Sequence, residues 1–185
     1  MTAELIGKAQ RGDHDAFASL ARAAVPRLQR TARLILRDED IAADAVQDAL
    51  TTAWLDIRAL RDPGSFDGWL YRLVVRACYR TAGRERRQGA LKVAAAAMPR
   101  SVQSDSAADV ALRDQLDRGL RRLPTEQRAV LVVHHYLQLR DEDAARVLGI
   151  PAGTFKSRLS RAAAALRSVL EADERVLDDA REALA

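Results

Sequence analysis

The sequence predicts an all-α fold: two small helical domains joined by a flexible linker, the C-terminal one containing a helix-turn-helix. Three observations carry this. Apolar residues recur three and four positions apart through most of the 185-residue chain, with no strand-like alternation. Only 9 glycines and 5 prolines occur, and they punctuate periodic segments instead of filling them. Aromatic residues make up 4% of the chain, so Ala, Leu and Val must fill the cores. Residues 89–108, rich in Ala and Ser, read as the linker between a first domain at 1–88 and a second at 109–172; an acidic tail covers 173–185. A brief helix over the AAAAM run is compatible with that linker.

The first domain opens with a short helix over 3–11. Gly12 and Asp13 break it, and Asp13 can cap the next. That second helix runs to about Leu36, with Phe17, Leu20, Ala21, Ala24, Leu28, Ala32 and Ile35 on or near one face. Pro26 inside it predicts a kink or a short break, since proline deletes a backbone bond and clashes one turn back. After the RDED turn, Asp38 or Asp40 can cap a third helix from Ile41 to about Leu60, with Ile41, Val46, Leu50, Ala53, Trp54 and Ile57 apolar. Asp40, Asp44 and Asp48 recur every fourth residue on it. Such like charges repel by a few tenths of a kcal/mol per pair, roughly the usual helix-pair value, and an external cation would offset that. A plain solvated face serves the same spacing.

Pro63 and Gly64 punctuate the next turn, and Ser65 can cap a fourth helix from Phe66 to about Arg87. Phe66, Trp69, Leu70, Leu73 and Ala77 make its buried face. Arg72, Arg76, Arg80 and Arg84 recur every fourth residue, extended by Arg86 and Arg87, with Tyr71 and Tyr79 nearby. A cationic track with aromatic neighbours suits unpaired nucleic acid: guanidinium groups meet phosphates and rings stack on bases. A solvated arginine face fits the spacing equally well.

In the second domain, Asp109–Leu123 reads as a helix with Val110, Leu112, Leu116, Leu120 and Leu123 apolar; Leu123-Pro124-Thr125 ends it and caps a buried helix over 126–138. A short helix begins at Asp141, whose carboxylate can cap it, and ends near Leu148, where Gly149 permits a left-handed turn. A further helix starts near Ala152. Two helices joined by a tight Gly-containing turn form a helix-turn-helix, whose second helix enters the DNA major groove. Phe155, Leu159, Ala162, Leu166 and Leu170 fall on one stripe of that second helix. Thr154, Ser157, Ser160 and Arg161 fall opposite, flanked by Lys156 and Arg158. Hydroxyl residues allow close approach to a duplex, and the cations meet phosphates or guanine edges. An ordinary amphipathic hairpin with a solvated basic face is the alternative. In the tail, Val169, Val176, Leu177 and Leu184 give a weak apolar stripe that extends the last helix or frays.

Composition narrows the function. The net charge of +4 suits a polyanion partner. Cys78 is the single cysteine, so no internal disulfide forms. Cys78 with His14, His134 and His135 offers no metal-ligand spacing, and the adjacent His134 and His135 point in different directions on a helix. No nucleophile–base pair or phosphate loop stands out, so no catalytic residue, metal or cofactor is predicted. No apolar run is long enough to span a bilayer and no signal-peptide pattern follows Met1, which predicts a cytoplasmic protein without membrane insertion.

Four segments then share one resemblance. GIPAGTFKSRLSRA, residues 149–162, resembles the GIPxGTVKSRLxRA signature of extracytoplasmic-function sigma factors, the small bacterial promoter-specificity subunits of RNA polymerase. LPTEQRAVLVVHHYL before it resembles that family's lead-in. DIAADAVQDALTTAW, residues 40–54, resembles the segment DAEDxVQExFLxAW, and the helix from Phe66 resembles FxxWLxRIxxNxxxDxxRR. The resemblance implies that the second domain reads the −35 promoter element through Thr154, Lys156, Ser157, Arg158 and Arg161. It implies that the third helix docks on a coiled coil of core RNA polymerase through Asp44, Gln47 and Asp48. It implies that the fourth helix binds and opens the −10 element, with Trp69, Arg72, Arg76, Tyr79, Arg80 and Arg84 on the single strand. In such proteins the linker threads the polymerase cleft toward the RNA exit path. Promoter DNA, both duplex and melted, core polymerase and an anti-sigma factor are the implied partners, with no catalysis by the chain itself. The chain departs from the pattern at Arg140, Asp141 and Ala144, where the family has a small polar residue, an aromatic and an isoleucine. It departs again at Arg76 and Arg80, which replace the usual asparagine and aspartate. Two other classes fit fewer segments: a helix-turn-helix regulator acting without polymerase, and a sigma-like decoy that binds a regulator.

Overall fold

The computed structural model describes the backbone of residues 2–89 and 107–182, and the side chains of residues 2–87, 115–173 and 175. The expected linker lies almost wholly outside these residues; Gly89 closes a helix and Ala107 and Ala108 open one. Among the described residues every regular element is helical. The order is α1 (Thr2–Gln10), α2 (His14–Leu36), α3 (Glu39–Asp56), α4 (Phe66–Gly89), α5 (Ala107–Arg122), α6 (Thr125–Leu131), α7 (Asp141–Leu148) and α8 (Ala152–Glu182). Short 3-10 turns at Ile57–Ala59 and Pro63–Ser65 join α3 to α4, and a π-helical turn, Val132–Tyr136, continues α6.

Local chemistry sets the boundaries. The Asp13 carboxylate accepts from the Ala16 N–H at 2.9 Å and so caps α2. Asp38, not Asp40, caps α3 by accepting from the Ile41 N–H at 2.9 Å. Between α2 and α3, Arg37 turns the chain in the left-handed region at φ 65°. Helix α2 runs unbroken through Pro26, so of the kink or short break expected there the break does not form. Both Pro26 and Arg22 one turn earlier are exposed, so water can satisfy the carbonyl that proline leaves without a donor. Ser65 does not cap α4. Its hydroxyl donates to Asp62 at 2.6 Å, and Asp62 also accepts from the Gly64 N–H, so the cap belongs to the preceding turn.

In the first unit, α3 packs between α2 and α4. Its buried face is almost all alanine, Ala42, Ala45, Ala49 and Ala53 with Val46, which lets the neighbouring helices come close. Leu20, Leu28 and Ile35 from α2, Ile6 from α1, and Phe66, Leu70 and Val74 from α4 complete this core. In the second unit, α8 packs on α5, α6 and α7. Phe155 is fully buried, and Ala162, Leu120, Leu123 and Leu131 form a smaller cluster beside it. Helix α8 continues unbroken through the start of the acidic tail to Glu182, 31 residues in all. Asp173, its side chain largely buried, pairs there with Arg122 of α5.

The two units are in contact. Helix α7 lies along α4, and α6 contacts both α2 and α4, so one continuous hydrophobic cluster runs from Ile6 to Phe155. At this seam sits Arg128, 8% exposed. Its Nε donates to the Ile35 carbonyl at the end of α2, 2.7 Å away. Its Nη1 donates to the carbonyls of Leu120 and Arg121 at 3.3 Å and of Leu123 at 3.0 Å, at the end of α5. Its Nη2 donates to the Thr125 hydroxyl at 3.2 Å, so Thr125 supports Arg128 instead of capping α6. The last carbonyls of a helix lack internal donors, and a buried one must find another. We expect Arg128→Met to cost about 2–4 kcal/mol, because it orphans these acceptors. Urea unfolding followed by circular dichroism measures this, and Arg128→Lys should recover only part, lacking a planar fork.

Candidate nucleic-acid interface

The helix-turn-helix forms as the sequence predicts in outline. Gly149 adopts φ 69° and closes α7, its N–H reaching back to the Arg146 carbonyl, and α8 begins just past Pro151. The start of α7 differs from expectation. Arg140 takes the cap position and Asp141 lies inside the first turn. The Asp141 carboxylate instead faces His134 Nε2 at 3.6 Å and Lys156 Nζ at 3.9 Å. The π turn brings the two adjacent histidine rings edge to face, 4.6 Å between centroids, and His134 also stacks on Phe155 at 6.0 Å. That stack ties the turn to α8.

On α8 the apolar stripe points inward, with Phe155 and Ala162 buried and Leu159, Leu166 and Leu170 half-buried. The opposite face is open: Lys156, Ser157, Arg158, Ser160 and Arg161 are exposed and Thr154 is half-buried. Ser157 donates to the Thr154 carbonyl at 3.0 Å and Arg161 Nε to the Ser157 carbonyl at 3.2 Å, so both lie folded on their own helix. Arg158 has no ion-pair partner among the described residues, which leaves it free for an external anion.

Helix α4 presents a different surface. Arg76, Arg80, Arg84 and Arg87 line one exposed edge. Arg72 is half-buried, and its Nε has no hydrogen-bond partner. The aromatic neighbours are engaged. Trp69 packs on Phe66 at 6.0 Å. Tyr71 lies under the Arg27 guanidinium, 5.6 Å from the ring centroid, while Arg27 pairs with Asp67. Tyr79 is half-buried, and burial, reinforced by Glu126, pushes its hydroxyl up to about 12, with Arg158 pulling the other way. Glu126 and Arg158 both belong to the second unit, so the ring faces the seam.

On α3, Asp40, Asp44, Gln47 and Asp48 are exposed, and none of the three carboxylates has an ion-pair partner among the described residues. An open groove of about 510 Å³, lined by Phe17, Val25, Val46, Gln47, Leu50 and Trp54, runs beside this ridge between α2 and α3. Sequence reasoning missed one feature of α4: besides the face carrying Phe66, Leu70 and Ala77, it buries Val75, Cys78 and Ala82, on the far side. Their 3- and 4-residue spacing was a signal, hidden by the arginines between them.

These surfaces define a class: a helical, two-unit protein with a helix-turn-helix and two exposed cationic faces, one on α4 and one on α8. The comparisons with known proteins agree. Residues 20–88 match the family described as Sigma-70 region 2, and residues 113–166 match Sigma-70, region 4. The ECF RNA polymerase sigma factor SigM of Mycobacterium tuberculosis is 38% identical over 168 residues, 91% of this chain and 84% of that protein. Among solved structures, the sigma factor RpoE of Bartonella quintana, in complex with the anti-sigma factor NepR, is similar with a TM-score of 0.67 and 26% identity, over 85% of this chain and 98% of that one. CnrH in complex with the cytosolic domain of CnrY gives a TM-score of 0.64 and 28% identity, over 93% of this chain and 98% of that one. The chain belongs to the extracytoplasmic-function family of RNA polymerase sigma factors. It is a transcription-initiation factor and not an enzyme. Among the described residues no helix is long and apolar enough to cross a membrane.

Burial pushes the Cys78 thiol up to about 12. A raised thiol pKa leaves almost no reactive thiolate at pH 8. We therefore expect native protein to resist Ellman's reagent at that pH, and the same chain in guanidinium chloride to react fully within minutes.

Proposed function

We propose a division of labour for this sigma factor among three surfaces. The chain joins core RNA polymerase through Asp44, Gln47 and Asp48, with the adjoining apolar groove offering a pocket for a partner side chain. The observation that carries this is the unpaired acidic ridge: its mutual repulsion falls when a basic coiled coil docks. The face of Thr154, Lys156, Ser157, Arg158 and Arg161 reads the −35 element as duplex, through base edges and phosphates. Trp69, Arg72, Arg76, Tyr79, Arg80 and Arg84 hold the −10 strand after melting, where arginines engage phosphates and binding offsets an unstacking cost of a few kcal/mol. Neither DNA surface need bind tightly alone, because linkage through polymerase raises the effective concentration of each contact.

Arg76 and Arg80 place cations where the resemblance has a neutral and an acidic group. That favours strand affinity and shifts base preference. An anti-sigma partner is supported by the solved complexes of similar proteins, and a cytoplasmic location by the work of initiation itself.

Asp44→Lys with Asp48→Lys is expected to abolish co-purification with core polymerase while leaving helix content unchanged, since both residues are exposed. Normal co-purification of the folded double variant would remove the docking assignment. For the reading helix, Arg158→Ala or Arg161→Ala should weaken holoenzyme binding to its promoter by roughly 1–3 kcal/mol if the side chain reads a base. A loss shared by all sequences, with a flatter salt dependence, would instead mark a phosphate contact. Gel-shift titrations at two salt concentrations separate the two.

A further inference from the structure

We propose that Asp141 and Lys156 together read one G·C base pair of the −35 duplex, the lysine donating to guanine and the aspartate accepting from cytosine. This rests on the reading above that α8 enters the major groove of that element. It adds a residue, Asp141, that lies outside α8.

The two side chains meet from two helices. Asp141 opens α7. Lys156 is the fifth residue of α8, inside the N-terminal stretch that a helix-turn-helix lays against base edges. Lys156 Nζ stands 3.9 Å from Asp141 Oδ2, and the two side chains are 71% and 38% exposed. The pair is thus open to a ligand, and as a solvated contact at this distance it adds little to stability. The carboxylate is also held from its other side. His134 Nε2 faces Oδ1 at 3.6 Å, and the His134 ring stacks on Phe155, the residue before Lys156. His134 Nδ1 is buried, so only Nε2 can serve the carboxylate. The π turn and α8 together therefore set where Asp141 points. The ground beside the pair is clear: a Cβ added at Gly153 would meet nothing within 4 Å.

A phosphate fits this pair poorly. A helix N-terminus ordinarily attracts one, but the first turn of α7 carries Asp141, Glu142 and Asp143. Arg146 offsets Asp143 alone among the described residues. A phosphate reaching Lys156 would meet the Asp141 carboxylate beside it. A base edge has no net charge and offers donors as well as acceptors. In the major groove a G·C pair sets the guanine O6 acceptor beside the cytosine N4 donor, about 2.9 Å apart across their shared hydrogen bond. The protein presents the complement, an Nζ donor and an Oδ2 acceptor 3.9 Å apart. Guanine N7 gives the ammonium a second acceptor. Reversal to C·G sets donor against donor and acceptor against acceptor. A T·A pair keeps the order, but on the lysine side it has one acceptor and the C5-methyl group.

The test uses core RNA polymerase loaded with the full chain and a promoter library randomised across the −35 element, with the bound DNA sequenced. The unaltered chain should favour G·C over C·G by about 10-fold at the position this pair reads. Asp141→Ala should bring that ratio to within about two-fold and leave preferences at other positions intact. It should also steepen the slope of log affinity against log salt by about one unit, because Lys156, released, takes a phosphate. Lys156→Ala should relax the same position without steepening the slope, and the double variant should relax it no further. Asp141→Phe, which puts an aromatic where the resemblance has one, replaces Asp141→Ala if circular dichroism shows that variant misfolded. An aspartate that merely braces α7 would, once removed, weaken binding to every sequence alike and keep the ratio; that result overturns the pair. So does relaxation at different positions by the two single variants. A chain that does not join core polymerase, or enriches no −35 sequence, overturns the sigma reading instead, and is told apart by the unaltered protein alone.

Discussion

One guanidinium ties the molecule together. Arg128 ends two helices at once, α2 in the first unit and α5 in the second, by donating to carbonyls that their own backbones leave unpaired. Helix C-termini carry partial negative charge, so a cation between two of them meets attraction from both sides. The planar fork matters, because separate N–H groups point at separate helix ends. The arrangement has a cost. Burial lowers Arg128's hold on its proton, and Arg121 adds to that, while Glu126 works against it. A buried cation is tolerated here because nearly every donor is used. Once Arg128 is fixed, α6 is fixed against α2, and α7 and α8 follow through Phe155 and the π turn.

The first unit rests on small side chains instead. Alanine at 42, 45, 49 and 53 gives α3 a flat inner face that two helices approach closely. Its outer face then needs no apolar residue and carries Asp40, Asp44, Gln47 and Asp48 without packing conflict. The same logic runs on α8, where Phe155 and Ala162 supply the anchor and the opposite face keeps its cations in water. In both helices the polar face stays in water because the buried positions lie on the opposite side.

Much of this was legible in the sequence. Helical period placed the buried faces of α2 and α8, and capping chemistry placed Asp13 and Gly149; on α3 it found Val46, Ala53 and Ile57, but Ile41, Leu50 and Trp54 are half-buried and Ala42, Ala45 and Ala49 do the packing. The segments that carry the family resemblance lie on the surfaces proposed for function. What was not legible depended on contacts distant in sequence. Asp141 looks like a cap, yet His134 and Lys156 draw its carboxylate away from the helix end. Ser65 looks like a cap, yet Asp62 is better placed to accept backbone N–H groups and takes the serine hydroxyl as well. Pro26 looks like a break, yet the exposed position lets the helix pass through. Arg128 looks like any surface arginine, because nothing local says that the end of α2, 93 residues earlier, lies within reach.

The chemistry of the seam sets its strength. Val75, Cys78 and Ala82 on α4, with Ala144, Ala145 and Val147 on α7, are small. Apolar stabilisation grows with area, so each of these positions contributes less than a Leu or Phe would. The ion pairs at its ends add little, since Arg86 and Glu126 are both substantially solvated. Among the cations of the seam, burial weighs on Arg128 and Arg37. The seam also leaves Arg76, Arg80 and Arg84 and the cationic face of α8 in water, so forming it strips no hydration from these cations.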